Sequence, residues 1–459
     1  MEPFRYHVYA CDQQKPEGAP CCSARGSART IDALRRELAQ RGLADEVQVT
    51  ACGSLGLCER GPNLVVYPEG VWYSGVAAED IPEIVRSHFL EGRPVERLIQ
   101  RDGGVLKTEI GGNRDRFLAA MKARDAAGVL PDDVAQTLRG FMESRVLLTA
   151  VELDLFTAVG EGASSDEVSK RAGTDPRGTE MLLNALVSMG LLVKHDRVFT
   201  TTPVTGRFFV AGKPDDARAA TLHQATLWRT WSRLMEVVRT GTVAAHQEMG
   251  ERGDDWTVPF IAAMHRNATE RSKAVVGAIG VEGVRRMLDV GGGSGAYSIA
   301  FARASAALEA VVFDLPTVVP IAEGHIRAAG LGDRVRARTG DLRTDDLGGG
   351  FDLVFVSAIC HMLDEDENAG LIARCFSALA PGGRIVIQEF ILEADKTAPK
   401  SAALFSLNML VGTKGGASYS EAEYGAWLSR AGFRDVRRVR VPGPTGLIVA
   451  VRPEDAEAV

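Results

Sequence analysis

A glycine-rich turn with a carboxylate downstream is the clearest ligand-binding pattern in the sequence. The apolar segment MLDV runs into GGGSG, Gly291 to Gly295, and the next predicted strand ends at Asp314, 21 residues after Gly293. Glycines let the backbone turn sharply and approach a ligand without interference from a Cβ atom. A carboxylate at Asp314 can accept both ribose hydroxyls of an adenosine. Because Gly291-x-Gly293-x-x-Ala296 also satisfies the relaxed dinucleotide pattern, a nicotinamide dehydrogenase is one interpretation.

Three further features favour an adenosine ligand that carries an amino acid. Asp289 stands just before the glycines, where it would repel a diphosphate but attract an ammonium group. Gly340-Asp341 ends the third predicted strand, so that this acid could meet the adenine amino group. The segment ALAPGGRIVI then leads into a fifth strand.

Cysteines cluster at the other end of the chain. Five of the seven lie in the first 58 residues, with Cys11 and Cys22 around one predicted loop and Cys52 and Cys58 around the next. In a cytosolic chain such clustering indicates metal or redox chemistry rather than structural disulfides. Four thiolates on two neighbouring loops suit a [2Fe–2S] cluster. A zinc site and a cofactor-free relic are the alternatives.

The predicted strands and helices that position these residues indicate an α/β chain of three parts. Strands alternate with helices from Val284 onward, which predicts a Rossmann-like, doubly wound parallel sheet closed by a terminal hairpin. The middle part is mostly helical. Three of its helices are followed by a short β-ribbon, an arrangement that is typical of a winged helix. The start of the chain reads as a small α/β unit. The predicted boundaries are 1–100, a linker over 101–113 (Arg101 to Asn113), 114–280 and 281–459.

Four motifs of the last two parts together are specific: DVGGGSG, VVFDLP, TGD and YSEAEYGAWLSRAGF. From about Arg116 to Pro453 the chain resembles the class I S-adenosylmethionine O-methyltransferases, the family of plant caffeate-type enzymes, acetylserotonin methyltransferase and bacterial pigment or antibiotic methyltransferases. The resemblance implies S-adenosyl-L-methionine as cofactor, a homodimer joined through the helical domain, and methylation of an oxygen, or of an acidic carbon, on a small aromatic or polycyclic acceptor.

The resemblance also implies a catalytic pair. In the plant enzymes a His after the fourth strand deprotonates the acceptor, and a Glu at the end of the fifth strand orients it. The matching residues are His361 and Glu389. The sequence departs from the plant pattern at Met362-Leu363, at Ser418 in place of a second Glu, and at Ser357 in place of a Lys near the adenine. A His that only packs at the strand end is therefore the alternative.

Two residues match family positions around the acceptor. Trp231 lies in LHQATLWRTWSRL and Met264 in FIAAMHRN. Because aromatic and Met residues at helical spacing usually belong to a core, a purely structural role is equally open. His265, next to Met264, is expected to face either the pocket or the surface.

The first hundred residues resemble the thioredoxin-like ferredoxins, in the cysteines and in GPNLVVYPEGVWYSGV behind them. This resemblance implies a [2Fe–2S] cluster held by Cys11, Cys22, Cys52 and Cys58. Many members space the last pair C-x3-C, which would place a ligand at Ser54, and Cys21 is a further candidate beside Cys22.

Charge and hydropathy limit the partners. The net charge of −7 argues against nucleic acid, since phosphate binding requires a basic face. The first residues lack the pattern of a signal peptide, and no apolar run approaches the roughly 18 residues of a membrane span, so that a cytoplasmic location is expected. A redox partner protein is possible for the cysteine module. The alternative function is a redox-sensing or electron-transfer protein that binds S-adenosylmethionine without transferring its methyl group.

Overall fold

A computed structural model describes residues 3–15, 20–100, 102–128, 130–243 and 253–454. The chain folds into two compact units, Met1–Phe141 and Met142–Val459. In the described parts of the chain, no helix is both long enough and apolar enough to cross a membrane.

The first unit contains a four-stranded mixed sheet in the order β2-β1-β3-β4. β1 pairs with β2 in parallel and with β3 antiparallel, and β3 pairs antiparallel with β4. Its strands are β1 (Tyr6–Cys11), β2 (Val47–Cys52), β3 (Asn63–Tyr67) and β4 (Val71–Ser74). Alternate strand residues pack against the apolar faces of α1 (Ser27–Gln40) and α2 (Ile81–Ile84), and α2 continues into a π-helical turn (Val85–Leu90).

The segment predicted as a linker is helical, which corrects the interpretation of Arg101 to Asn113. Helix α3 spans Gly103–Ala126, and Arg101 lies outside the described residues. The Asp102 carboxylate accepts hydrogen bonds from the N–H groups of Gly104 (2.9 Å) and Val105 (3.0 Å), so it caps the new helix. The glycine pairs were misleading because glycine weakens a helix by only about 1 kcal/mol per residue.

Tertiary contacts of α3 offset that cost. Ile110 packs on Gly56, where an added Cβ would lie 2.8 Å from its Cγ2 atom. The Asn113 amide donates to the Gly56 carbonyl (2.7 Å), and Arg60 pairs with Glu109 (2.8 Å). The first half of α3 is therefore fastened to the loop between Cys52 and Cys58.

A winged helix follows, as predicted. It comprises α4 (Asp132–Glu152), α5 (Leu155–Val159), α6 (Ser165–Ala172) and α7 (Pro176–Ser188), with a small sheet of β5 (Ala163–Ser164), β6 (Leu192–His195) and β7 (Val198–Thr201). The segment AVELDLFTAVG, residues 150–160, reads as one helix in the sequence but is split at Asp154, which adopts a left-handed conformation (φ 51°). The Asp154 carboxylate accepts from Thr157 and Arg218, and these contacts hold the turn between α4 and α5.

In the described residues 203–243 and 253–279, four helices connect the winged helix to the last domain. They are α8 (Pro203–Phe208), α9 (Arg218–Trp231), α10 (Leu234–Thr240) and α11 (Asp254–Ile279). α11 packs along both α9 and the first helix of the following domain.

The last domain is the predicted doubly wound sheet, in the strand order β10-β9-β8-β11-β12-β14-β13. The central strands are nearly all apolar because helices cover both faces. The strands are β8 (Arg286–Val290), β9 (Glu309–Asp314), β10 (Val335–Thr339), β11 (Phe351–Ser357), β12 (Leu379–Glu389), β13 (Arg434–Arg440) and β14 (Gly446–Val451). The helices are α12 (Ala296–Ala304), α13 (Val319–Ala328), α14 (Glu365–Ala378), α15 (Lys400–Gly412) and α16 (Glu421–Ala431). As expected for a terminal hairpin, β14 inserts antiparallel beside β12.

Candidate active site

The glycine loop joins β8 to α12 at the carboxyl end of the sheet, beside the strand-order reversal where ligands of such sheets bind. Gly291 has φ 66°, and a Cβ there would lie 2.3 Å from Ile359, so only glycine fits. Gly293 has φ 56°, and a Cβ there would meet no described atom within 4 Å. The backbone of Gly293 is thus open on this side, and its contact with a ligand stays a prediction.

Asp289, at the end of β8, is 1% exposed. The Ser298 hydroxyl donates to its Oδ2 atom (2.8 Å), whereas Oδ1 has no hydrogen-bond partner among the described residues. Burial, and to a smaller extent the charge of Asp314, raises the pKa of Asp289 to about 7. An unsatisfied buried carboxylate oxygen is suited to accept from an ammonium group.

Asp314 ends β9 beside the same loop. Its carboxylate accepts from the N–H groups of Gly293 and Leu315, both at 2.7 Å. Burial raises its pKa, and the two backbone donors oppose that shift. Each oxygen retains a lone pair, so a diol could donate to the same carboxylate.

The two remaining predicted cofactor residues end the neighbouring strands. Asp341 follows β10 and is half-buried, and its carboxylate accepts from the N–H of Arg343 (2.8 Å). Ser357 ends β11, and its hydroxyl donates to Gln388 (3.2 Å). Both lie at the ligand-binding edge of the sheet, and neither has a geometry specific for adenine.

His361 and Glu389 are brought together by the neighbouring strands β11 and β12. The imidazole Nδ1 lies 2.7 Å from Glu389 Oε2, and the backbone N–H of His361 donates to Oε1 (3.3 Å). Their exposed fractions are 8% and 1%. Because the carboxylate accepts a hydrogen bond from Nδ1–H, the ring is held in the tautomer whose Nε2 can accept a proton.

Residues distant in the sequence hold the 3₁₀ turn (Cys360–Met362) that carries His361. The Asn368 amide donates to the carbonyls of Cys360 (2.9 Å) and Leu363 (3.1 Å), and the Tyr419 hydroxyl also donates to Leu363 (2.6 Å). Sequence reasoning missed Asn368 and Tyr419. Asn368 lies one turn inside α14 and is fully buried, and nothing in the sequence pattern indicated this role.

Aromatic side chains form a wall around the histidine. The Phe405 ring meets the His361 ring edge-on (centroids 4.8 Å apart) and stacks on Phe390 (4.0 Å). One turn further along α15, Asn408 accepts from the indole N–H of Trp231 (2.8 Å). Trp231 therefore lies at α15, which carries the wall, whereas Phe405 and Asn408 were not predicted.

Met264 lines a separate part of the molecule. It contributes to a cavity of about 300 Å³ between α8, α9 and α11, together with Phe208, Phe209, His223 and Asn267. Trp231 is not among the lining residues of this cavity. Of the two predicted acceptor residues, Met264 alone lines this cavity in the described part of the chain.

The cysteines of the first unit converge at one end of its sheet. Cys11 and Cys52 are direct partners in the register of β1 and β2. The hydrogen bond from the Cys22 thiol lowers the pKa of Cys11 to about 6, and Cys58 Sγ lies 3.2 Å from Ser54 Oγ. Within the described ranges, no three or more His, Cys, Asp or Glu side chains are grouped as a metal site.

Comparisons with known proteins identify two domains. Residues 232–434 match the model of an O-methyltransferase domain, and residues 135–211 match that of an O-methyltransferase dimerisation domain. Among relatives, 3-hydroxy-5-methyl-1-naphthoate 3-O-methyltransferase of Streptomyces sahachiroi is 35% identical over 346 residues, which are 72% of this chain and all of the relative. Tetracenomycin polyketide synthesis 8-O-methyl transferase of Streptomyces glaucescens is 34% identical over 70% of this chain and 97% of its own.

Solved structures show the same similarity. "PigF with SAH" aligns with a TM-score of 0.64 at 28% identity, covering 71% of this chain and all of that one. Human N-acetylserotonin methyltransferase in complex with SAM aligns with a TM-score of 0.62 at 25% identity, covering 70% and 96%.

Proposed function

Because the chain belongs to the family of S-adenosylmethionine-dependent O-methyltransferases, we propose that it methylates a hydroxyl group of a small aromatic or polycyclic metabolite, with His361 as the general base. The observation that carries this proposal is the His361–Glu389 pair, which faces the stacked rings of Phe405 and Phe390. The names of two relatives, which act on a naphthoate and in tetracenomycin synthesis, support a flat aromatic acceptor.

The residues of the cofactor site fit S-adenosylmethionine. The unpaired Asp289 oxygen would accept from its ammonium group, Asp314 from its ribose hydroxyls, and the open face of Gly293 would lie along it. Asp341 and Ser357 would contact the adenine. When bound, this molecule supplies a methyl group on a positively charged sulfur.

The protein's own part in the reaction is positioning and one proton transfer. His361 Nε2 would accept the proton of the acceptor hydroxyl, so that this oxygen could take the methyl group that S-adenosylmethionine supplies. Glu389 holds the imidazole and stabilises the imidazolium that forms. Phe405 would hold the plane of the acceptor, and Trp231, which donates to Asn408, would extend the wall. Met264, which lines the cavity between α8, α9 and α11, stays a proposed acceptor contact.

Release of S-adenosylhomocysteine tests this proposal. The full chain, incubated with S-adenosylmethionine and a hydroxynaphthoic acid, should form S-adenosylhomocysteine and a methyl ether in equal amounts, measured by mass spectrometry. The corresponding methoxynaphthoic acid is the matched control and should give neither. Binding of S-adenosylmethionine without turnover of any phenol in a panel would instead support the redox function without methyl transfer.

The dimerisation domain supports a homodimer. Large apolar side chains at helical spacing remain exposed in the single chain on α4, where Leu138, Phe141 and Met142 are 61%, 52% and 54% exposed. Such a stripe is typical of a surface that a second chain covers.

We further propose that the first unit is a thioredoxin-like module that holds a [2Fe–2S] cluster and serves redox input or regulation. The sheet order β2-β1-β3-β4 and the convergence of Cys11, Cys22 and Cys52 support this proposal. The donor set suits the cluster, since Cys11 and Cys52 end two paired strands and Cys22 and Cys58 stand on the segments that follow them. Cys58 is the fourth ligand.

Iron analysis tests the module in the full chain. Anaerobically purified, iron-replete protein should contain two iron and two sulfide per chain and lose visible absorbance on reduction. Cys52→Ser should destroy or perturb the cluster, whereas Cys21→Ser, the matched control, should spare it. The reverse result would make Cys21 the ligand, and an unaffected Cys52→Ser protein would point to Ser54. Zinc in place of iron, or no metal at all, would overturn the proposal.

A further inference from the structure

Two histidines stack beside the glycine loop, outside the catalytic pair. The rings of His265 on α11 and His325 on α13 lie 3.9 Å apart between centroids with an angle of 19° between their planes. On its other side, His265 Nδ1 forms a hydrogen bond of 2.8 Å with the hydroxyl of Ser294. One imidazole therefore contacts both α13 and the loop that precedes α12.

Ser294 is the fourth residue of the loop Gly291–Gly295 and is 5% exposed. The preceding residue, Gly293, donates its N–H to Asp314. Asp314 ends the strand that leads into α13, so both segments touched by His265 flank the carboxylate at the ribose position. A loop rich in glycine has many accessible conformations, and a side-chain contact that selects one of them reduces the entropy lost on binding.

The stack disfavours protonation of both rings at once, because two imidazolium charges at this distance would repel each other. Burial lowers the pKa of both histidines, and the pKa of His265 is lowered further by His325. The stacked histidine pair is therefore suited to holding the glycine loop in place, a role that needs no proton transfer.

We propose that His265 is a positioning residue for the cofactor, which fixes the conformation of the glycine loop through Ser294. This inference rests on the proposed use of the loop to bind S-adenosylmethionine. His265 contacts neither acceptor nor methyl group in this assignment, so it acts on binding and leaves the chemical step alone.

We expect substitution of His265 to change KM for the cofactor and to leave kcat nearly unchanged. His265→Ala should raise KM and Kd for S-adenosylmethionine about tenfold, which corresponds to about 1.4 kcal/mol, with kcat at saturation changed less than about twofold. His265→Asn should restore most of the affinity, since its amide occupies the position of Nδ1. His265→Gln, whose amide matches Nε2, should not.

A double-mutant cycle tests the route through Ser294. Ser294→Ala should weaken binding as much as His265→Ala, and the double variant should be no worse than either single variant. Additive losses, or a loss of kcat with an unchanged KM, would overturn the proposal. If His265→Ala fails to fold, Ser294→Ala and the Asn and Gln pair still decide the question by calorimetry. Absence of binding by the unaltered chain would instead refute the use of the loop for S-adenosylmethionine.

Discussion

Replacing His361 with alanine should lower kcat by about 10²–10⁴-fold for an unactivated phenol and leave the Kd for S-adenosylmethionine nearly unchanged. In the proposed function the imidazole is the base at the aromatic wall, and its Nδ1 lies 2.7 Å from Glu389 Oε2. Without it the acceptor proton has no positioned base, whereas the cofactor carboxylates Asp289 and Asp314 are untouched. Steady-state rates of S-adenosylhomocysteine release, paired with calorimetry, measure both quantities.

Two variants serve as controls for that result. Glu389→Gln keeps the size of the side chain and removes its charge, so its rate should fall between those of the wild type and His361→Ala. His195→Ala alters an exposed histidine of the winged-helix ribbon and should retain full activity. Full rates in both His361→Ala and Glu389→Gln would mean that the acceptor ionises unaided or that proximity alone suffices.

Asp314→Ala should weaken S-adenosylmethionine binding by about 1–3 kcal/mol, or about 5–150-fold, through loss of charge-assisted hydrogen bonds to the ribose. The substitution also leaves the Gly293 N–H without its carboxylate, so the loop itself loosens. Asp314→Asn keeps one acceptor for that N–H and should lose less. Calorimetric titration of each variant gives the affinity, and an unchanged Kd in Asp314→Ala would refute the ribose assignment.

The same titrations between about pH 5.5 and 8.5 separate the two carboxylates. In the unliganded protein burial raises the pKa of Asp289 to about 7, and an ammonium ligand favours the charged form. Binding therefore releases a proton from the protonated fraction, so affinity should be full above about pH 7 and decline by up to tenfold per unit below it. Asp289→Asn should bind weakly with a flatter pH profile, and a wild-type affinity independent of pH would contradict this role.

The sequence predicted the sheet because its signals are local, since each central strand is an apolar run. His361 and Glu389 were expected together from the resemblance and from the neighbouring positions of the fourth and fifth strands, and His361 Nδ1 lies 2.7 Å from Glu389 Oε2. Their catalytic role stays a prediction. Phe405, Asn368 and Asn408 could not be found this way, because their roles depend on where α14 and α15 pack.

Two other outcomes have the same physical origin. Helix α3 was missed because its glycines weaken the local signal, while Ile110 and Asn113 gain their stability from Gly56. The sequence did not decide whether His265 faces the pocket or the surface, since its partner Ser294 is 29 residues away in the chain. In each case a tertiary contact decided what the local pattern could not.

The attachment of α3 to the Cys52–Cys58 loop means that a movement of the loop would move the whole helix. At about 1.5 Å per residue, its 24 residues form a rod about 36 Å long. Ile110 and Asn113 fasten this rod in its first half, and Ala126 lies about 20–24 Å beyond them along the helix axis. A tilt of the loop by about 5° would therefore swing the distant end by about 2 Å. The helix is thus a lever fixed at the loop between Cys52 and Cys58.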